Sequence, residues 1–339
     1  MKTFVASIII FGILVFVHEV GHFIAARLNG IKVLELAIGF GPKIYGWHRK
    51  GTDYSLRIFP LGGFCRMFGD TPEEMNEPGS FNSKSPVRRA SVLVAGSVMN
   101  LLLALLLFFI IFFFFTGVQQ LDSSIIGAVI PGTPAESAGL MDGDEITAIN
   151  GEPVAEWMDV VHSIERHAGE ELILVVKRQE IISEIHVIAE ADPESGKGKI
   201  GIAPLIKKYQ FAGSLANSFG FFGMIISSLY QVITGQAPLD LVGPVGIVIT
   251  IGEAAQTGFV YLIQLTGLIS LSLGLVNLLP IPALDGGRLL FVLIEALRGR
   301  PLDPEKEGFI HFIGFALLIL LILFITYNDL IRWDILPRR

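Results

Sequence analysis

The sequence predicts a polytopic α-helical membrane protein of about four transmembrane helices, carrying a membrane-associated β-element and an inserted extramembrane α+β domain. Three observations predict it. Of 339 residues, 52% are hydrophobic and only 17% charged, too apolar for an ordinary soluble domain of this length. Four stretches, at about 4–27, 92–116, 259–284 and 309–327, are apolar over the length needed to cross a hydrocarbon core roughly 30 Å thick. Between them lie two long segments with the texture of strands and turns rather than of helix.

The first stretch lacks the compact positive region and the small-residue cleavage site of a secretory signal, so it reads as a mature helix. It carries His18-Glu19-Val20-Gly21-His22, an H-E-x-x-H pattern. Spacing of i and i+4 puts both imidazoles on one helix face and leaves Glu19 beside them, an arrangement suited to zinc. Ionisable side chains in a span cost roughly 2.5 kcal/mol or more each, so three within five residues demand compensation, which a metal supplies. A single cysteine, Cys65, rules out an internal disulfide and any clustered cysteine site, so further ligands come from His or carboxylates.

Residues 28–91 follow. Lys32, Lys43, Arg49, Lys50, Arg88 and Arg89 place this loop in the cytoplasm by the positive-inside rule, with Arg298, Arg300 and Lys306 in agreement and Arg338 and Arg339 mildly against. Within it IGFGPKIYGWHRKGTDYSLRIFPLGGFCRMFG mixes Gly with aromatic and β-branched residues, the composition of short strands joined by tight turns. Its apolar content predicts that it dips into the membrane face, where its backbone groups must pair or line a cavity.

After the second stretch, residues 118–208 are acidic and fall on the outer side. Short β-rich runs (IIGAVI, EITAIN, LILVVKR, EIHVIA) surround one amphipathic helix near Met158–Arg166. PGTPAESAGLMDGDEITAINGEPV resembles the PDZ signature of a short helix, a Gly-Asp turn and a strand ending in Asn-Gly. The expected module is an extracytoplasmic PDZ-like domain, in which an extended peptide adds to a strand edge. Residues 209–258 form a linker; its apolar part, 211–235, is studded with Gly, Ser and Asn and reads as an interfacial amphipathic helix, with a fifth span as the rival. The expected divisions are thus 1–117, 118–208, 209–258 and 259–339.

In the third stretch Asp285 is the only carboxylate between residues 255 and 294, just after the helix-breaking Pro280 and Pro282 and before Gly286 and Gly287. By the topology of the basic loops it lies at the depth of His18 and His22, towards the cytoplasmic leaflet, which makes it the expected third ligand. Read alone, it would also suit a helix cap or a pair with Arg288. Asn277, one or two turns earlier, suits a hydrogen bond near the metal or a plain interhelix contact. His48, His162 and His167 read as solvated and His311 as interfacial.

Taken together, HEVGH, IGFGPKIYGW with PLGGFCRMFG, SFNSKS, the PDZ-like segment and NLLPIPALDGGR resemble, in order, the site-2 protease family, and its RseP-like bacterial branch with a single PDZ domain. The resemblance implies a Zn2+ endopeptidase of the bacterial inner membrane, with His18, His22 and Asp285 as ligands and Glu19 as general base. Its implied partners are the lipid bilayer, single-span membrane proteins such as anti-sigma factors or remnant signal peptides, and an upstream site-1-type protease; nucleic acid is not among them. Two positions depart from the family pattern: Ser97 stands where Pro is frequent, and Asp240 where an Asn holds the substrate strand. Asn100, Asn277 and Asp240 are therefore the expected substrate contacts. A metal transporter would also place His and Asp within spans, and a PDZ-bearing scaffold would need no chemistry; the single H-E-x-x-H with its Glu favours neither.

Overall fold

A computed structural model describes residues 2–69, 74, 77–193, 195–236, 242–300 and 303–333. The chain divides into two compact units, one of residues 1–111 with 216–339 and one of 112–215. The second is thus an insertion into the first.

Helix α1 (Lys2–Leu28) carries the H-E-x-x-H run two turns before its end. Strands β1 (Val33–Arg49) and β2 (Thr52–Met67) then pair antiparallel. Short strands were expected from the composition; instead two long strands make one hairpin that folds back on itself. Residues 35–38 pair with 63–66 on one side and with 53–56 on the other, giving the order 43–49, 52–57, 35–38, 63–67 across the sheet. The folds fall where Gly39, Gly41 and Gly62 adopt left-handed φ values of +88°, +84° and +122°, open to glycine at little cost. Arg57 donates to Glu35 at 2.7 Å and locks two of these segments together.

Helix α2 (Pro86–Ile110) starts with proline in its first turn, where the missing N–H costs nothing, and runs on through a π-helical turn at Ile111–Phe115. It packs closely on α1 because a side chain is absent at the crossing: a Cβ on Gly21 would stand 2.4 Å from the Ala95 carbonyl oxygen.

The inserted unit holds β3 (Gly117–Gln119), β4 (Ile126–Val129), a short helix α3 (Pro134–Ser137), β5 (Glu145–Ile149), β6 (Glu152–Pro153) and α4 (Trp157–Arg166). There follow β7 (Glu171–Arg178), β8 (Ile181–Ile188), β9 (Glu190–Ala191), β10 (Gly198–Lys199), β11 (Ile202–Pro204) and β12 (Ile206–Lys208). A four-stranded sheet runs in the order β6-β5-β7-β8, and β4 pairs with β11. Helix α4 buries Trp157, Val160 and Ile164 at i, i+3 and i+7, and its start is closed by a reciprocal Glu156–Asp159 capping box. These side chains join Ile126, Ile146, Ile149, Leu172, Leu174 and Val176 in one core. Asp144 is fully buried beside it, accepting from Arg178 at 2.7 and 2.8 Å and from the Met141 amide at 2.9 Å. Burial pushes its carboxyl up, but those bonds win and hold it below the usual range.

The remaining helices are α5 (Phe211–Ile233), α6 (Pro244–Thr257), α7 (Phe259–Leu278), α8 (Asp285–Arg298) and α9 (Pro304–Arg332). The expected linker 209–258 thus holds two helices. Against the about four expected, five helices among the described residues are long and apolar enough to cross a membrane: Thr3–Leu28, Pro86–Phe115, Phe211–Val232, Phe259–Leu278 and Glu305–Arg332. The helix at 211 is unbroken, so its glycines lower propensity without stopping it. The third stretch is divided: α7 stops at Leu278 and α8 starts at Asp285, with Pro280 and Pro282 between them. Helix α7 buries Gly267, Ser270 and Gly274, small residues that bring it close to α2, where a Cβ on Gly274 would meet Leu101 and the Ser97 carbonyl.

Candidate metal centre

Two helices bring donors to one point. His18 and His22 come from adjacent turns of α1, and Asp285 is the first residue of α8. His18 Nε2 lies 3.0 Å from Asp285 Oδ2, His22 Nε2 lies 3.2 Å from the same oxygen, and the two Nε2 atoms are 3.2 Å apart. At zinc–ligand lengths of about 2.0–2.1 Å, tetrahedral ligands stand roughly 3.3 Å from one another, so the three atoms already form one face of such a site. Both histidines are buried, at 8% and 6% exposure, so their partners must come from within the protein.

The supports of these donors argue for the same geometry. His22 Nδ1 is 2.8 Å from the Val92 carbonyl oxygen, an acceptor that fixes the proton on Nδ1 and leaves the Nε2 lone pair free for a metal. His18 Nδ1 is 3.3 Å from the amide nitrogen of Asn100, whose Oδ1 is buried with no partner among the described residues. Exchanging the amide's nitrogen and oxygen lets Oδ1 accept from His18 Nδ1–H, the tautomer that leaves the His18 Nε2 lone pair free for a metal. Asn100 is thereby explained from the His18 side. It is fully buried, and the Ser270 hydroxyl donates to its carbonyl at 2.8 Å. Asn100, an expected substrate contact, thus lies buried on α2 against His18.

That arrangement predicts a graded result. Asn100→Ala should weaken zinc retention roughly 10–100-fold against a competing chelator, whereas Asn100→Asp, which keeps the acceptor, should stay close to wild type. Equal retention by all three proteins would remove Asn100 from the support of His18.

Glu19 is half-buried beside His18, on the side of α1 that faces β2. Its Cγ lies 3.3 Å from the place a Cβ on Gly63 would take, and the Cys65 backbone amide donates to its carboxylate. Helices α2 and α1 approach as closely at Gly96 as at Gly21: a Cβ on Gly96 would stand 2.4 Å from His22 Nε2 and 2.8 Å from His18 Nε2. This residue was not singled out in the sequence, where a glycine in an apolar helix has no distinguishing mark.

The chain's path into Asp285 is tightly built. Ala283 has a left-handed φ of +78°, a strained value for a residue with a Cβ, and its amide donates to His311 Nδ1 at 2.9 Å. Cβ atoms on Gly286 and Gly287 would meet the Leu279 and Ile281 carbonyl oxygens at 2.2 and 2.4 Å, so the loop turns back over the start of α8 only because both are glycine. Asp285 lies inside the helix rather than at its N-cap, which is Leu284, and its carboxylate goes to the histidines. Asn277 is half-buried in the last turn of α7, and its side chain makes no hydrogen bond among the described residues. Asp240 lies outside the described residues. His18, His22 and Asp285 form a group of His and carboxylate side chains able to hold a metal.

Residues 6–321 match the model of peptidase family M50. The chain is 34% identical to the zinc metalloprotease RasP of Geobacillus kaustophilus, over 97% of this chain and 98% of that protein. It is 36% identical to a putative zinc metalloprotease of Clostridium acetobutylicum (96% and 97%) and 34% identical to the regulator of sigma-W protease RasP of Bacillus subtilis (98% and 99%). Among solved structures it is similar to the PDZ domain of an SdrC-like protein from Listeria monocytogenes, at 22% identity and a TM-score of 0.23, covering 25% of this chain and 88% of that one. The chain belongs to peptidase family M50, the site-2 type of zinc metalloprotease, with Zn2+ as its cofactor.

Proposed function

We propose that this chain cuts single-span membrane proteins within the bilayer, with His18, His22 and Asp285 holding zinc and Glu19 moving the proton. The observation that carries this reading is the meeting of two Nε2 atoms and one carboxylate oxygen within 3.2 Å, beside a glutamate and against a strand edge. When bound, zinc polarises the scissile carbonyl and lowers the pKa of water. Glu19 accepts the proton of the attacking water and returns it to the leaving amine. Among the described residues, 63–66 have 35–38 as their one strand partner, and the Cys65 amide donates to Glu19, so an extended substrate strand added along this segment would lie beside Glu19. An intact helix hides its carbonyls in hydrogen bonds, so the substrate must unwind first, and helix-weakening residues near the cut favour it.

The sigma-W regulator among the relatives supports anti-sigma-factor-like proteins as substrates, trimmed beforehand by a site-1-type protease, with remnant signal peptides as a second class. The basic first loop supports an active site towards the cytoplasm of a bacterial inner membrane and a PDZ-like unit outside it. That unit would select trimmed substrates.

A tagged single-span substrate incubated with the purified protein tests this reading. Cleavage should map inside the span, disappear on chelation and return with stoichiometric zinc. A cut confined to the extramembrane part, or cleavage indifferent to chelator, would sink the proposal.

A further inference from the structure

Away from the metal centre, the tip of the hairpin meets the end of α1. Arg49 pairs with Thr52, leaving Lys50 and Gly51 as a two-residue turn with φ values of +49° and +76°, as a type I′ connection requires. Arg27, in the last turn of α1, donates to the Lys50 carbonyl at 2.9 Å and to the Thr52 hydroxyl at 2.5 Å. The turn is therefore fastened to the helix end, not left to swing.

Between them lies a cavity of about 380 Å³ lined by Phe23, Arg27, Arg49, Lys50 and Tyr54. Three of these five residues are cations and none is an acid. The side chains of Arg49 and Lys50 form no ion pair among the described residues, while the neighbouring acid, Asp53, is occupied by His48 at 2.8 Å. A row of aromatic side chains leads away from the cavity wall: Trp47, 51% exposed, stacks on Tyr54 with ring centroids 5.1 Å apart, and Tyr45, 64% exposed, follows with its centroid 6.0 Å from that of Trp47. A solvated basic turn would explain the charges but not the exposed Tyr45 and Trp47. Amphipathic rings beside clustered Lys and Arg are the composition of a headgroup-level anchor.

We propose that this cavity binds the phosphoryl headgroup of an anionic phospholipid. Arg49 and Lys50 face the phosphate, Arg27 adds its charge from the wall, and Tyr45 and Trp47 lie at the boundary of headgroup and acyl chain. Because the same hairpin carries the 63–67 edge, an occupied cavity would set the height of that edge in the bilayer. The site stands independently of the protease reading, since its test reads lipid and not cleavage.

The purified full chain in a neutral detergent is titrated with dioctanoyl phosphatidylglycerol or dioctanoyl phosphatidylcholine, and bound lipid is counted by native mass spectrometry. Wild type should retain phosphatidylglycerol in preference to phosphatidylcholine. A protein carrying Arg49→Gln and Lys50→Asn should lose about 25-fold in affinity for phosphatidylglycerol, at roughly fivefold per basic residue near an anionic surface, with phosphatidylcholine unaffected. Asn is chosen because it tolerates the positive φ of the turn, and an unchanged thermal unfolding midpoint confirms that both proteins are folded. Equal affinity in the two proteins overturns the site. Displacement of the lipid by millimolar inorganic phosphate overturns the lipid assignment and makes the cavity a site for a free phosphate anion.

Discussion

Replacing Glu19 with Gln is expected to slow peptide-bond cleavage by roughly 10²–10⁴-fold while leaving zinc content at the wild-type value, the range spanned by loss of a positioned general base. The amide keeps the length of the carboxylate and can still accept from the Cys65 amide through its Oε1, so the contact between α1 and β2 survives. It cannot take a proton at neutral pH. None of the three donor atoms belongs to Glu19, so metal affinity has no reason to follow activity. Single-turnover cleavage with zinc measured on the same sample separates the two. Loss of both together would instead make Glu19 part of what holds the metal, and retention of more than a tenth of the activity would remove it from the chemistry.

How far the sequence revealed this centre depended on whether the information was local. His18, Glu19 and His22 are set by helical spacing alone, and their cost in an apolar helix singles them out. Asp285 was legible because no other carboxylate occupies that apolar stretch and because two prolines mark an interrupted backbone. Helix α4 was legible through its apolar spacing, and the four β-rich runs of the inserted unit became β4, β5, β7 and β8. The resemblance to a known family then ordered these parts without supplying any distance between them.

What stayed hidden was tertiary. Nothing in the run 33–67 says that residues 35–38 pair on both sides, because that register is fixed by contacts across the fold of the hairpin and not by periodicity. Helix α6 is too short to register as a span, and its place is fixed by packing against α1, where Ile251 joins Ile10 and Leu14 in one buried cluster. Asn100 was read as a substrate contact, but the direction it faces is decided by how α2 rotates against α1. The same rotation makes Gly96 critical while leaving it unremarkable as a letter in the chain.

Gly96→Ala is accordingly expected to empty the centre, taking zinc from about one per chain to near zero and abolishing cleavage, in a protein that still folds. A methyl placed there would stand 2.4 Å from His22 Nε2 and 2.8 Å from both Cε1 and Nε2 of His18. Something must yield, and the choices differ in cost. The helices cannot simply part, because α1 and α2 are also in contact through Gly21 and Ala95, and overpacking such a contact costs typically 1–3 kcal/mol. Rotating the imidazoles costs less to the fold but breaks the bond from His22 Nδ1 to the Val92 carbonyl and the contact of His18 Nδ1 with Asn100. Either ring movement carries an Nε2 lone pair away from the metal. Gly12→Ala is the control, since a Cβ at Gly12, on the facing helix α1, meets nothing within 4 Å; it should bind zinc and cleave as wild type does. Zinc content, helical circular dichroism and cleavage measured on the two variants decide the matter: a Gly96→Ala protein with full zinc and full activity would mean that the donors do not meet where α1, α2 and α8 place them.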